Sequence, residues 1–152
     1  MTIEEEIQKV FGGKLRLRVC GLLIEDEKIL VIKHLGVGPN GFLWGVPGGG
    51  LEFGESVDNC LKREFLEETG LEVEVLEFYS FNEYIKLPLH SVELFFKVKR
   101  KSGVLKEGFD PELSINKGIT QHSFLSFKEF MASELENYHS IFKNFRISGA
   151  FC

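Results

Sequence analysis

The sequence predicts an α/β fold in which a mixed β-sheet is flanked by helices. Two observations carry that expectation. Strand-like stretches rich in β-branched, leucine and aromatic residues recur along the chain, interrupted by one central helical segment and closed by another. The 152 residues, 43% of them hydrophobic, can bury one sizeable core, so residues 1–152 read as a single domain.

Each element follows from its own residues. Residues 1–12 are acidic and end at Gly12-Gly13, which fits a short N-terminal helix on the outside. Leu15 to Ile24 and Ile29 to Ile32 read as strands joined by a tight turn at Glu25-Asp26-Glu27. His34 to Gly41, broken by Gly36, Gly38 and Pro39, is a loop. Phe42 to Val46 is a short strand ending at Pro47, and Gly48-Gly49-Gly50 lets the backbone approach a ligand or metal closely. Leu71 to Tyr84 and Ser91 to Lys99 alternate as two further strands, with Lys101-Ser-Gly as a turn. Glu107 to Gln121 is polar and irregular, the longest loop. His122 to Phe127 is a last strand, and a helix from Lys128 to Glu136 opens a C-terminal helical segment over 128–152. No internal repeat or low-complexity tract is present.

The central helix carries the chemistry. Ser56 is a suitable N-cap, Asp58 lies in the first turn, and Gly70 supplies the left-handed stop, which bounds a helix over Val57–Thr69. Val57, Cys60, Leu61 and Phe65 point one way, and Glu64, Glu67 and Glu68, at i, i+3 and i+4, fall within or beside the same arc. Mutual repulsion, with anions in the last turn opposing the helix dipole, costs roughly 1 to 2 kcal/mol. Half-burying three unpartnered carboxylates adds several kcal/mol. A plain solvated surface gains nothing from such an arrangement, whereas oxygen-coordinated Mg²⁺, or Mn²⁺ in its place, removes the cost.

Residues 49 to 71 resemble the signature of the Nudix hydrolases (MutT-like) without a departure: Gly49, Glu55, Arg63, Glu64, Phe65, Glu67, Glu68, Gly70 and Leu71 stand at its positions. A chance match at the seven fixed positions has odds of roughly one in a million for this chain. Phe42 to Gly49 also looks like the strand and Pro-Gly-Gly turn of that family. The resemblance implies an α/β/α sandwich and an enzyme that hydrolyses the phosphoanhydride of a nucleoside diphosphate linked to another group, such as a nucleoside triphosphate or nucleotide sugar. It implies metal ligation by Glu64, Glu67, Glu68 and the Gly48 carbonyl. Arg63 would orient a carboxylate, and Glu55 would brace the loop. The family often draws its general base from the loop before the last strand, where Glu112 is the choice over Glu107 and Asp110, with Glu67 and Glu64 as box alternatives.

Other prominent residues have plainer readings beside them. Lys33 and His34, at a strand end near the expected cleft, are candidates for phosphate contact or a solvated strand end. Trp44 is a candidate substrate contact or a core residue. Lys97, Lys99, Arg100 and Lys101 fit a solvated strand edge better than a nucleic-acid patch. His90, His122 and His139 lack metal-ligand spacing. The net charge of −5 argues against general nucleic-acid or membrane-surface binding. Cys20, Cys60 and Cys152 suggest neither a disulfide framework nor a zinc site, and Cys60 reads as core. With no leader-like or membrane-length apolar run, a cytoplasmic protein is expected. A small nucleotide-type substrate is the expected partner, and a homodimer is left open.

Two functional classes stand at this stage. One is an Mg²⁺-dependent pyrophosphohydrolase, and the other a regulatory domain that senses a nucleotide ligand without turnover. The intact glutamates favour the enzyme.

Overall fold

The computed structural model describes residues 1–106 and 121–151. The elements run α1 (Ile3–Phe11), β1 (Leu15–Glu25), β2 (Lys28–Leu35), β3 (Phe42–Gly45), β4 (Gly48–Gly50), α2 (Val57–Thr69), β5 (Leu71–Lys86) and β6 (Leu89–Gly103). After the undescribed segment come β7 (Gln121–Ser126), α3 (Phe127–Met131), a 3₁₀ turn at Leu135–Asn137, and α4 (Phe142–Ser148).

The sheet is mixed, as expected. Its path is β3-β2-β1-β6-β5, with β4 paired to β1 and β7 to β2. β1 and β6 run parallel, while the other pairings are antiparallel. Asp26 and Glu27, both at positive φ, make the tight β1–β2 turn and match the right-handed twist of the strands they join. β1 and β2 pair only at Ile24–Ile29 and Glu25–Lys28. Beyond that point β1 pairs with β4 through Arg18, Val19 and Cys20, so the sheet opens beside the glycine run.

Each face of the sheet has a core. Val19 and Leu23 of β1, Leu30 of β2 and Val98 of β6 meet Cys60, Leu61 and Phe65 of α2 on one side. Cys20, Leu22, Ile29, Val31 and Phe95 meet Phe130, Phe142 and Phe145 of α3 and α4 on the other. α2 comes close at Gly21, where an added Cβ would stand 2.5 Å from the Phe65 ring. α1, closed by a capping box between Thr2 and Glu5, lies where Ile3 and Ile7 meet Gly36.

Several points differ from the sequence reading. β2 runs on through His34 and Leu35, expected in a loop, because they pair with Leu43 and Phe42. Lys101-Ser-Gly is not a turn: β6 continues to Gly103, because β5 supplies partners as far as Leu71. The C-terminal helix stops at Met131 rather than Glu136. The Ser133 hydroxyl donates back to the Glu129 carbonyl, and Tyr138 and His139 are drawn into pairing with Trp44, which extends the chain. The basic cluster does not form a sheet edge, since β6 lies between β1 and β5. There Lys97 pairs with Glu77 and Arg100 with Glu25, so opposite charge cancels much of the cluster.

Candidate active site around the central helix

α2 is built as its punctuation predicts. The Ser56 hydroxyl accepts from the Asn59 N–H at 3.1 Å, and Gly70 at φ 76° donates its N–H to the Leu66 carbonyl. Between these caps Glu64 and Glu68 are buried in line with Cys60, Leu61 and Phe65, so acids do continue the apolar stripe. Glu67 departs from them, its side chain being 24% exposed on the rim.

Arg63 organises this end of the site. Its Nε and Nη2 donate to the two Glu55 oxygens at 2.7 and 2.9 Å, and Nη1 donates to Glu64 at 3.0 Å and to Glu67 at 3.4 Å. Nη2 also reaches the Gly50 carbonyl at 3.3 Å. One guanidinium thus ties the loop to two acids of the helix, a task that needs a planar fork of donors. These hydrogen bonds hold the Glu55 carboxyl down at about 2, against the opposing effect of partial burial.

The glycine run sets the other wall. The Gly48 N–H donates to Glu68 Oε1 at 3.2 Å, while its carbonyl meets Arg18 Nη2 at 3.5 Å. At Gly49 a Cβ would stand 2.3 Å from Glu64 Oε1, so the close approach expected of the run is made to a box glutamate. Burial raises the Glu64 carboxyl above its ordinary value. Burial, reinforced by the neighbouring Glu64, lifts Glu68 well above that range.

Among the described residues, no three His, Cys, Asp or Glu side chains are grouped tightly enough to hold a metal ion as they stand. Glu67 leans to Arg63, and Glu68 to the Gly48 amide. The donor chemistry nevertheless fits a hard divalent cation. Two carboxylates are buried together, Glu64 disfavours the charge of Glu68, a backbone carbonyl lies beside them, and the absence of a side chain at Gly49 lets the Glu64 carboxylate lie against the glycine run.

A second polar cluster adjoins this one. Glu93 of β6, 1% exposed, accepts from Arg18 Nη1 at 2.6 Å, Asn82 Nδ2 at 3.0 Å and His139 Nε2 at 2.6 Å. The Ile141 N–H donates to His139 Nδ1 at 3.0 Å, so Nδ1 is the acceptor nitrogen and Nε2 carries the hydrogen. Burial opposes ionisation of Glu93, but the bond from His139 and the charge of Arg18 outweigh it and hold the carboxyl at about 2. Arg18 therefore links Glu93 to the Gly48 carbonyl. Reasoning along the chain missed this cluster, although Glu93 within the apolar run Val92 to Phe96 is a signal that a buried acid has partners.

The expected substrate contacts are parted. Lys33 Nζ lies 4.5 Å from the centre of the Phe42 ring and 6.0 Å from that of Trp44. Trp44 packs against the core, and its carbonyl accepts the His139 N–H. His34 lies beside Gly45, and burial, helped by Arg18 and His139, pushes its imidazole down to about 3. It is uncharged near neutral pH and brings no cation to a phosphate. Glu112 lies outside the described residues, as do Glu107 and Asp110. Among the described residues, no helix is long and apolar enough to cross a membrane.

Comparison with known proteins agrees with this geometry. An 8-oxo-dGTP diphosphatase from Buchnera aphidicola subsp. Acyrthosiphon pisum (strain APS) is 39% identical over 59 residues, which span 39% of this chain and 47% of that protein. The chain thus matches about half the length of that curated relative. A Nudix hydrolase from Nitrosomonas europaea shares the fold at TM-score 0.67 and 21% identity, over 91% of this chain and 93% of its own. A MutT Nudix hydrolase from Burkholderia pseudomallei superposes at TM-score 0.62 and 22% identity, over 76% and 85%. An ADP-ribose pyrophosphatase from Streptococcus suis 89-1591 does so at 0.55 and 21%, over 74% and 75%. The family model of the NUDIX domain matches residues 14–143, and with the box acids, Arg63 and the sheet arranged as described, the chain belongs to the Nudix family.

Proposed function

We propose that the chain is a pyrophosphohydrolase acting on a nucleoside diphosphate linked to another group, with Mg²⁺, or Mn²⁺ in its place, held by Glu64, Glu67, Glu68 and the Gly48 carbonyl. The observation that carries this reading is the buried Glu64–Glu68 pair beside Gly48, which is costly to maintain without a cation. When bound, the cation neutralises phosphate oxygens and lowers the pKa of a bound water.

The chain's own residues do the rest. Arg63 aligns Glu64 and Glu67 and anchors the loop through Glu55. Arg18, fixed by Glu93, steadies the Gly48 carbonyl. Glu112 takes the proton of the attacking water. Lys33 and Trp44 offer a cationic and an aromatic surface to substrate, and His34 a neutral donor. The names of relatives support the substrate class: 8-oxo-dGTP, ADP-ribose and UDP-X each present a nucleoside with linked phosphates. A single domain acting in the cytoplasm on a small molecule completes the reading.

The test is incubation of the purified protein and Mg²⁺ with nucleoside triphosphates, nucleotide sugars, ADP-ribose and dinucleoside polyphosphates, with products identified by mass. Mg²⁺-dependent release of a nucleoside monophosphate supports the proposal. Tight binding of one of these compounds without turnover would instead establish the sensing class.

A further inference from the structure

Among the described residues, one face of the sheet is only half covered. α2 packs against Val19, Leu23, Val73 and Val98, at the end of the sheet where β6 finishes. The same face continues beyond it. In register across three strands, Leu17 stands beside Val92, and Val19 beside Leu94, with Phe81 next to Leu94 and Phe78 next to Phe96. Cα partners share a face, so these side chains and Ile85 all project to the α2 side. Phe81 is 66% exposed, Ile85 55%, Phe78 54%, Leu15 66% and Leu17 39%.

We propose that this face is covered by a second copy of the chain in a two-fold dimer. The area is of the right size. These five side chains expose on the order of 500 Å² of apolar surface, comparable to the largest patch on a typical monomer. The half-buried side chains in the same rows bring the face toward the roughly 800 Å² that each partner buries in a standard interface. Charge points to a like partner. The ionisable pair within the rows, Glu83 and His90, is hydrogen-bonded to itself at 3.1 Å, so the face carries no stripe of like charge for an acidic or basic protein. An apolar face without a stripe of like charge can meet its own copy, which is the condition for an isologous contact. Among the described residues, β5 is the outermost strand on this side of the sheet path. The proposal rests on sheet side chains other than Glu64 and Glu68 and does not depend on the activity proposed above.

Sedimentation velocity from about 1 to 200 µM should show wild type moving to dimer mass, with association weakened roughly 100-fold or more in Phe81→Glu. Ile147→Glu, which alters an exposed apolar side chain on α4, should associate like wild type. Should Phe81→Glu fail to fold, hydroxyl-radical footprinting of wild type supplies the same test: Phe78, Phe81 and Ile85 should be oxidised when dilute and protected when concentrated. A wild type that stays monomeric throughout overturns the proposal. So does a dimer in which these three residues remain equally oxidised.

Discussion

Replacing Glu93 by Gln removes one charge at the centre of the polar cluster while leaving its shape nearly unchanged. Arg18 then loses a 2.6 Å counter-charge inside the protein, and His139 and Asn82 lose the stronger acceptor. The cost can be worked from the carboxyl itself. Its value falls from 4.5 to about 2 on folding, and such a shift corresponds to about 3 kcal/mol of stability near pH 7. Because the folded value is the depressed one, that contribution is complete above 4.5 and is lost as pH falls toward 2. The assay is urea denaturation of both proteins at pH 7, about 5.5 and about 3.5. The variant should be less stable by about 3 kcal/mol at pH 7, equivalent to roughly 6 to 12 °C in Tm for a chain of this size. By pH 3.5 the gap should narrow by about 1 kcal/mol. A gap under about 1 kcal/mol at pH 7, or one that stays constant down to pH 3.5, would refute the electrostatic account of this cluster.

Other substitutions separate fold from site. Gly49→Ala pushes a methyl into the Glu64 carboxylate, which can swing aside, so stability should change by about 1 kcal/mol or less while Mn²⁺ affinity falls roughly tenfold or more. Isothermal titration and chemical denaturation read the two quantities; a variant that binds Mn²⁺ as wild type does would count against the placement of Glu64 by Gly49. Arg63→Lys should release Glu55 from its value of about 2 toward the ordinary range, as followed by NMR titration of its carboxyl carbon, because an ammonium cannot reproduce the fork. An unchanged Glu55 titration would remove Arg63 from its organising role. Glu112→Gln should lower kcat by roughly 10² to 10⁴ with little change in KM, and full kcat in this variant and in those of Glu107 and Asp110 would send the search for the base to Glu64 and Glu67.

The parts legible along the chain were those specified locally. Ser56 and Gly70 bound α2 in the structure at the residues they bound in the sequence, because a cap and a left-handed stop act within one turn. Glu64 and Glu68 could be placed beside the apolar stripe by helical periodicity alone. The Arg63–Glu67 contact is an i,i+4 pair of the helix, but only the folded loop brings Glu55 to the same guanidinium. The Arg18–Glu93–His139 cluster joins β1, β6 and the segment after α3, and no local pattern reports which strands become neighbours. The same reason hid the end of β6. Lys101-Ser-Gly has turn composition, yet pairing with β5 extends the strand through it. Trp44 likewise ends α3 early from a distance, by pairing with Tyr138 and accepting from His139.

On the function proposed above, the buried Glu64–Glu68 pair holds a divalent cation on which hydrolysis depends. The most direct test of that claim compares wild type with Glu68→Gln in Mn²⁺ binding, in thermal stability with and without metal, and in turnover at saturating Mg²⁺. A carboxyl held well above its ordinary range costs stability once pH rises past 4.5, so without metal the variant should be as stable as wild type or more so at neutral pH. Its metal-induced gain in Tm should shrink, Mn²⁺ affinity should drop at least roughly tenfold, and most turnover should be lost. Equal Mn²⁺ affinity and equal turnover in the two proteins would contradict the claim.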